Sequence, residues 1–297
     1  KESLTVYRDQ EFSSDVASRS LTRLVAVRLI QSRQFAEGAS PMEHPVRPER
    51  VTEMNNFYTV TIYDKGAEVI RMIHTLLGET RFQAAVHDYL TRFDGQAATI
   101  DDFVACCARA GKPELTGQFM RWYTQSGTAR LEVRRRREGD RLILSFTQSP
   151  AHADDEPFLI PVRLSFISKT GHRLEPPEMA GREFVEISAR QQDLSFTVPA
   201  GTLPLLLKDF SAPVKLAADY SGDELQQLLS FADDAFLKSF AARELTLSGV
   251  RAHMEGAPVN IKALSGALEA QLKACTQSSD CQLLADLLTL VVKHAYY

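Results

Sequence analysis

Two stretches of this chain decide its fold: KESLTVYRDQEF at residues 1–12 and EMNNFYTVTIYDKGAEVIRM at residues 53–72. The first stretch reads as the middle of a helix whose front is missing. The second runs into a helical stripe, in which Val69, Ile70 and Ile73 follow the spacing of one helix face. We therefore expect the chain to be a fragment of a longer protein.

Both stretches resemble motifs of the aminopeptidase N family of thermolysin-like metallopeptidases, and the likeness is nearest to the bacterial type. The family patterns are close to K-E-G-L-T-V-F-R-D-Q-E-F and E-M-N-N-F-Y-T-x-x-x-Y-x-K-G-A-E-V-I-R-M. This chain departs from the first pattern at Ser3 and Tyr7, and neither change removes a chemical group that the site needs. The resemblance continues through residues 212–216 and fades after about residue 225, so it covers roughly three quarters of the chain.

The resemblance implies a catalytic zinc site with Glu2 as its third protein ligand. In the family, a helix with the motif H-E-x-x-H supplies two imidazoles and a general base, and a second helix supplies the carboxylate. Tyr63 stands at the position of the catalytic tyrosine, whose phenol stabilises the oxyanion. Tyr58 stands on the wall of the pocket for the first substrate side chain. Asn55 is also assigned to substrate binding, with packing in the core or a loop as an equal alternative.

The zinc site that this resemblance implies is incomplete in the sequence. Catalytic zinc needs three protein ligands and an open position, and this chain provides one ligand. The family's G-A-M-E-N motif, which binds the substrate amino group, is also missing. Outside their motifs, Glu2 would be an ordinary solvated carboxylate and Tyr63 a half-buried packing residue. No two histidines stand at i and i+4; they are His44, His74, His87, His152, His172, His253 and His294.

The function that the resemblance implies is that of a zinc aminopeptidase, which hydrolyses N-terminal residues from peptides with zinc-activated water. The expected partners are one zinc ion and peptides with a free N-terminus, and the expected state is a monomer in the cytoplasm. As a fragment, the isolated chain is expected to be inactive. The alternative is a non-catalytic scaffold or interaction module derived from the aminopeptidase fold, which the retention of Glu2 and Tyr63 disfavours.

Composition and charge are those of an ordinary globular protein. The chain has 297 residues, of which 24% are charged and 44% hydrophobic, and this length suits about two domains. A net charge of -4 gives no general attraction to nucleic acid or anionic lipid. No apolar run approaches the ~20 residues of a membrane span.

The cysteines favour idle thiols in a reducing compartment over a disulfide framework. Cys106 and Cys107 are adjacent on a predicted helix, where neighbouring side chains diverge. Cys275 and Cys281 could pair only if the loop between them folds back.

Hydrophobic spacing predicts helices over residues 1–127. The resemblance implies that this part is the C-terminal helical half of a thermolysin-like catalytic domain. Gly78 is a predicted C-cap, and Thr99 with Asp102 forms a predicted capping box. The predicted helices cover residues 14–34, 69–77, 80–93, 99 onward and 115–125.

Residues 128–219 show alternating spacing in short runs separated by turn signals, which predicts a β-sandwich. The seven runs are residues 129–133, 142–147, 158–167, 183–187, 194–198, 203–210 and 214–217. Helical spacing then returns, and residues 220–297 are predicted to start a helical C-terminal domain. The expected fold class is multidomain α + β in the order helices, sandwich, helices.

Three further features have simpler explanations than a functional site. Asp9 lies two helical turns after Glu2, where it either orients a metal ligand or forms a surface salt bridge. His44 lies in a proline-rich loop, which favours a structural hydrogen bond. The arginines at residues 134–137 would alternate across a strand, which favours a solvated hairpin arm over a nucleic-acid patch.

Overall fold

The first part of the chain is helical, as the sequence predicts. A computed structural model describes residues 1–50, 53–256 and 265. In residues 1–124 of this described part, the α-helices are α1 (Glu2–Val16), α2 (Arg19–Leu29), α3 (Phe35–Glu37), α4 (Gly66–Leu77), α5 (Glu79–Arg92), α6 (Ile100–Arg109) and α7 (Arg121–Thr124). Two π-helical turns, Ile30–Gln34 and Thr61–Lys65, continue α2 and precede α4. Gly78 ends α4 with a φ of 75°, and the capping box of Thr99 and Asp102 starts α6, so both predicted signals are confirmed.

Two of the predicted helices are interrupted in the structure. The helix expected over residues 14–34 is broken after Val16, because Ser18 has an extended backbone and caps α2 by accepting a hydrogen bond from the backbone N–H of Leu21. The helix expected over residues 115–125 is instead two 3-10 turns and the short α7. Gly117, with φ -106° and ψ -113°, interrupts the helical backbone there.

In the described residues after α7, eight strands form two sheets of a sandwich. They are β1 (Arg130–Glu138), β2 (Arg141–Ser149), β3 (Ile160–Ile167), β4 (Arg173–Leu174), β5 (Phe184–Ile187), β6 (Gln191–Thr197), β7 (Leu203–Leu206) and β8 (Lys215–Ala218). One sheet has the order β6-β2-β1-β8, and in the other β3 pairs with β4, β5 and β7. All pairs are antiparallel except β1 with β8. The rings of Phe166 and Phe196, 4.9 Å apart, join the two sheets.

The strand prediction differs from the structure in two places. The two-residue strand β4 was not predicted, since it is too short to show alternation. The run expected to end at residue 210 stops at Leu206, because Leu207, Asp209 and Phe210 adopt positive φ values of 57°, 55° and 49°. A backbone in the left-handed region costs about 1–3 kcal/mol for each such residue, so other contacts must hold this turn.

The helical part and the sandwich share one hydrophobic core. Trp122 is 1% exposed, and its indole N–H donates a hydrogen bond of 2.8 Å to the carbonyl of Leu159. Its ring lies 4.3 Å from that of Phe158, between centroids. Burying such a side chain contributes about 1.5–3 kcal/mol, so this contact helps to fix the orientation of the two parts.

Helices α8 (Gly222–Phe231) and α9 (Ala235–Met254) follow the sandwich. Ser221 and Glu224 form a capping box at the start of α8, and the Glu224 carboxylate also accepts two hydrogen bonds from Arg135 of β1. In the described ranges, no helix is long and apolar enough to cross a membrane. The helical prediction for residues 257–297, and the pairing considered for Cys275 and Cys281, fall outside the described residues except at position 265.

Candidate active site around Glu2 and Tyr63

The start of α1 lies against the π-helical turn that carries Tyr63. We call this turn, Thr61–Lys65, the tyrosine turn. The Ser3 hydroxyl donates a hydrogen bond of 2.8 Å to the carbonyl of Ile62. The approach is close because the next residue after the turn is Gly66, where an added Cβ would lie 2.1 Å from the Ser3 Oγ. The two helices can therefore meet only with glycine at this position, and Glu2 comes to lie beside Tyr63.

The Glu2 carboxylate is one third exposed, with 33% of its side-chain surface accessible. Burial acts to raise its pKa, but the hydrogen bond from its own backbone N–H and the positive charge of Lys1 outweigh burial and lower the pKa. The group is thus an ionised oxygen donor at neutral pH, which suits a metal ligand.

The phenol of Tyr63 interacts electrostatically with Glu2. Desolvation and then the negative charge of Glu2 raise the pKa of Tyr63 above its ordinary value. The phenol consequently stays protonated at neutral pH and is available as a hydrogen-bond donor. π-Helical turns are rare and occur often at functional sites, because the extra residue redirects a side chain.

The other two predicted site residues, Tyr58 and Asn55, precede the tyrosine turn in the chain. Tyr58 is 69% exposed, and its ring centroid is 6.2 Å from that of Tyr63. Asn55 is exposed in the 3-10 turn Met54–Phe57, and its carbonyl accepts a hydrogen bond from the backbone N–H of Tyr58. The structure therefore brings Glu2, Tyr63 and Tyr58 together, with Asn55 joined to the group through the backbone.

The cavities of the described part include one beside Glu2 and a larger one away from it. A cavity of about 220 Å³ is lined by Glu2 and Ser3 together with apolar side chains, among them Phe57 and Ile62. A cleft of about 500 Å³ lies between the helical part and the sandwich, where Glu11 and Arg163 form part of its wall. Glu2 lines the smaller cavity, and neither Glu2 nor Tyr63 is among the residues that line the larger cleft.

The described residues do not form a complete metal site by themselves. Within residues 1–50, 53–256 and 265, no group of three or more His, Cys, Asp or Glu side chains could hold a metal ion. Glu2 fits the role of one oxygen ligand, since its carboxylate is ionised and partly exposed beside the cavity. Further ligands would have to come from outside these residues.

Contacts at both ends of the tyrosine turn were missed by the sequence reasoning. The Thr61 hydroxyl donates a hydrogen bond to the Glu37 carboxylate and accepts one of 3.3 Å from the side chain of Gln34. Lys65 is 1% exposed, and its ammonium donates a hydrogen bond of 2.7 Å to the carbonyl of Gly127. Burial lowers the pKa of Lys65 to about 8. Lys65 precedes the apolar helical stripe that begins at Val69, and no sequence pattern indicated its buried contact.

The three features with simpler explanations show no second site. Asp9 is exposed. The ring of His44 lies 2.8 Å from the carbonyl of Pro45 and 3.6 Å from the Glu37 carboxylate. The four arginines at residues 134–137 of β1 all bond to neighbouring protein groups, which are Glu132, Asp219, Glu224, Asp193, Glu138, Ser145, Val198 and Pro199.

Asp64 lies next to Tyr63 and is expected to destabilise the folded chain at neutral pH. Burial, followed by the charges of Glu68 and Glu37, raises its pKa from 3.8 to about 6. Because the folded pKa is the higher one, this carboxyl supports folding below pH 4, and the support is lost as the pH rises through 6. Asp64→Asn should therefore raise the free energy of unfolding at pH 7.5 by about 1–2 kcal/mol, after discounting for partial exposure, and have little effect at pH 4.

Urea unfolding of the 297-residue chain at the two pH values measures this difference. The exposed Asp94, changed to Asn, is the matched control and should have little effect at either pH. An equal effect of Asp64→Asn at pH 4 and pH 7.5 would show that the ionised carboxylate is not the cause.

The chain is similar to known peptidases over most of its length. Residues 1–123 match the peptidase family M1 domain, and residues 127–219 match a domain of unknown function (DUF3458) with an Ig-like fold. The chain is 44% identical over 260 residues to aminopeptidase N of Haemophilus influenzae, covering 84% of this chain and 30% of that protein. It is 41% identical over 305 residues to aminopeptidase N of Escherichia coli, covering 98% of this chain and 35% of that protein. The chain thus spans about a third of the length of these relatives.

A solved structure shows the same fold. The crystal structure of Legionella pneumophila aminopeptidase A in complex with aspartic acid superimposes with a TM-score of 0.80 and 21% sequence identity. The match covers 96% of this chain and 31% of that one. The predicted order of helices, sandwich and helices is thereby confirmed.

Proposed function

Since this chain belongs to peptidase family M1 through its first 123 residues, we propose that it is part of a zinc-dependent aminopeptidase, which removes N-terminal residues from peptides. One observation carries the proposal: the Glu2 carboxylate, which lines a cavity, acts electrostatically on the protonated phenol of Tyr63. Family M1 is a metallopeptidase family, and this pair combines an oxygen ligand for a metal with a donor for an oxyanion.

Each of the four residues has a role in the proposal. Glu2 holds the zinc ion as one of its protein ligands, and the ion supplies Lewis-acid chemistry when bound. The Tyr63 phenol donates a hydrogen bond to the oxygen of the scissile carbonyl as negative charge develops on it. Tyr58, whose exposed ring lies beside Tyr63, contacts the first side chain of the substrate, and Asn55 contacts the substrate near it.

The remaining groups are proposed to come from other parts of a longer protein. The 297 residues contain neither H-E-x-x-H nor G-A-M-E-N, and Glu2 is the single zinc ligand that we assign here. We therefore propose that the isolated chain is inactive and holds no stoichiometric zinc. The proposed partners are peptides with a free N-terminus and neither nucleic acid nor membrane. The proposed state is a cytoplasmic monomer, with support from the negative net charge and from Cys106 and Cys107, which are free and buried.

Loss of zinc is the expected result of Glu2→Ala in a complete protein that contains these residues. Removing one of three protein ligands should weaken zinc binding at least about 100-fold, since even residues that only orient a ligand contribute 10–100-fold. Metal analysis after dialysis, together with hydrolysis of an aminoacyl p-nitroanilide, measures both consequences.

Asp15→Asn is the control for Glu2→Ala, because Asp15 is an exposed carboxylate on the same helix, α1, and pairs only with Arg19 among the contacts described. It should keep full zinc content and activity. A wild-type protein that holds zinc and hydrolyses the substrate supports the aminopeptidase. A wild-type protein without zinc or activity would favour the non-catalytic scaffold, and unchanged zinc in Glu2→Ala would remove Glu2 from the ligand set.

A further inference from the structure

A buried charge lies two residues after Tyr63. Lys65 ends the tyrosine turn, and at 1% exposure its side chain is fully removed from solvent. Lysine is almost never buried unless its ammonium has a partner. Here the partner is a main-chain oxygen, since the ammonium donates a hydrogen bond of 2.7 Å to the carbonyl of Gly127.

The accepting carbonyl belongs to a tightly enclosed residue. Gly127 has a φ of 71°, and an added Cβ would lie 2.2 Å from the Cβ of Ala151 in the sandwich. The preceding Ser126 donates a hydrogen bond of 3.0 Å to the Glu43 carboxylate, which also pairs with His152 at 2.6 Å. Gly127 is also the first residue of the Ig-like match, after the M1 match has ended at residue 123. Lys65 therefore bonds to a fixed point at the connection between the two domains.

The tyrosine turn is held from three directions. Its first residue, Thr61, bonds to Glu37 of α3, and its second residue, Ile62, accepts the hydrogen bond from Ser3 of α1. Its last residue is Lys65. Tyr63 lies between these contacts. Among the hydrogen bonds described, none involves its phenol, so the direction of the phenol depends on how the turn is held.

We infer that Lys65 is a positioning residue, which directs the Tyr63 phenol at the reacting carbonyl by tying the tyrosine turn to the Gly127 carbonyl. The inference rests on the proposed function, because it needs Tyr63 to act on the substrate. If Lys65 has this role, the connection to the Ig-like domain also helps to hold the candidate site in place. Catalytic groups lose effect when such supporting contacts are absent, since small displacements of a positioned donor lower the rate strongly.

A double-mutant cycle in the complete, zinc-loaded protein tests the inference. Lys65→Met keeps the length of an unbranched side chain and removes the ammonium, so kcat should fall about 10–100-fold with KM within about 2-fold. If Lys65 acts only through the phenol, the same change in a Tyr63→Phe background should lower kcat by less than about 3-fold. An equal loss of kcat in both backgrounds would show a general structural role and overturn the inference.

A second measurement uses the 297-residue chain and does not need activity. With ring-¹³C tyrosine, the signal of Tyr63 is assigned by its absence in Tyr63→Phe. Lys65→Met should shift the Tyr63 signal. The signal of Tyr220, which lies between β8 and α8, should stay in place. Lys169→Met, a change of an exposed lysine in the sandwich, should shift neither.

The two measurements separate failure of the inference from failure of the proposed function. An inactive wild-type protein would contradict the proposed function, and the Tyr63 signal would then decide whether Lys65 holds the turn. An unmoved Tyr63 signal in Lys65→Met overturns the inference in either case. Should Lys65→Met fail to fold, Lys65→Gln takes its place, because the amide is polar but too short to reach the Gly127 carbonyl.

Discussion

Tyr63→Phe is expected to lower kcat by about 10²–10³-fold in the complete protein, with little change in KM. The change removes one hydroxyl and keeps the ring, so folding and zinc content should hardly change. The loss falls on kcat because the hydroxyl would bond to the oxyanion in the transition state and only weakly to the ground-state carbonyl. This factor corresponds to about 2.7–4 kcal/mol of transition-state stabilisation. Steady-state kinetics with an aminoacyl p-nitroanilide measures it.

Tyr220→Phe is the matched control for the loss of a phenol. The Tyr220 hydroxyl donates a hydrogen bond of 2.8 Å to the carbonyl of Pro204 and accepts one from the backbone N–H of Leu206. Its removal should lower the free energy of unfolding by about 1 kcal/mol and leave kcat unchanged. A near-normal kcat in Tyr63→Phe would mean that Tyr63 is a packing residue, and that the role implied by the family motif does not apply here.

The largest effect on stability is expected from Arg23→Met in the 297-residue chain. Arg23 is 5% exposed and Glu68 is 1% exposed, and the two groups form two parallel hydrogen bonds of 2.6 Å. Arg23 also donates hydrogen bonds of 3.0 Å to the carbonyls of Asp209 and Phe210 in the left-handed turn after β7. Arg23→Met leaves a buried carboxylate and two carbonyls without this donor, so the free energy of unfolding should fall by about 3–5 kcal/mol. Urea titration measures the change.

Two further variants separate the buried pair from ordinary surface charges. Arg19→Met removes another arginine of α2, but Arg19 is 58% exposed in its pairs with Glu11 and Asp15, so the loss should stay below about 1 kcal/mol. The double variant Arg23→Met with Glu68→Met should recover most of the stability, because no unpaired charge remains buried. A loss below about 1 kcal/mol for Arg23→Met alone would contradict the importance of the pair.

Local signals in the sequence were sufficient for the order of the parts, and they point to the motifs of the candidate site. The motif that contains Tyr63 is continuous, and the capping box of Thr99 and Asp102 involves residues three apart, so both can be recognised without knowledge of the tertiary structure. The break before α2 also has a local cause, since Ser18 competes with the helix for backbone hydrogen bonds. The break was not predicted because the hydrophobic pattern continues across it.

The contacts that position the site could not be predicted because they join distant residues. Arg23 and Glu68 are 45 positions apart, and Lys65 and Gly127 are 62 apart. Hydrophobic periodicity assigns a face to each helix but does not specify which charge on that face meets which partner. The two π-helical turns could not be predicted from the sequence either, because one extra residue in a turn leaves the apolar spacing almost unchanged.

The parallel pairing of β1 with β8 has a consequence during synthesis of the chain. Arg130 pairs with Lys215, so one edge of β1 stays open until the ribosome has made β8. At about 5–20 residues per second, that interval is on the order of 4–17 s. Exposed strand edges invite pairing with other chains, and positive charge opposes it. The arginines at residues 134–137 continue β1 beyond the part that pairs with β8. Their positive charge therefore opposes aggregation through the open edge of the nascent strand.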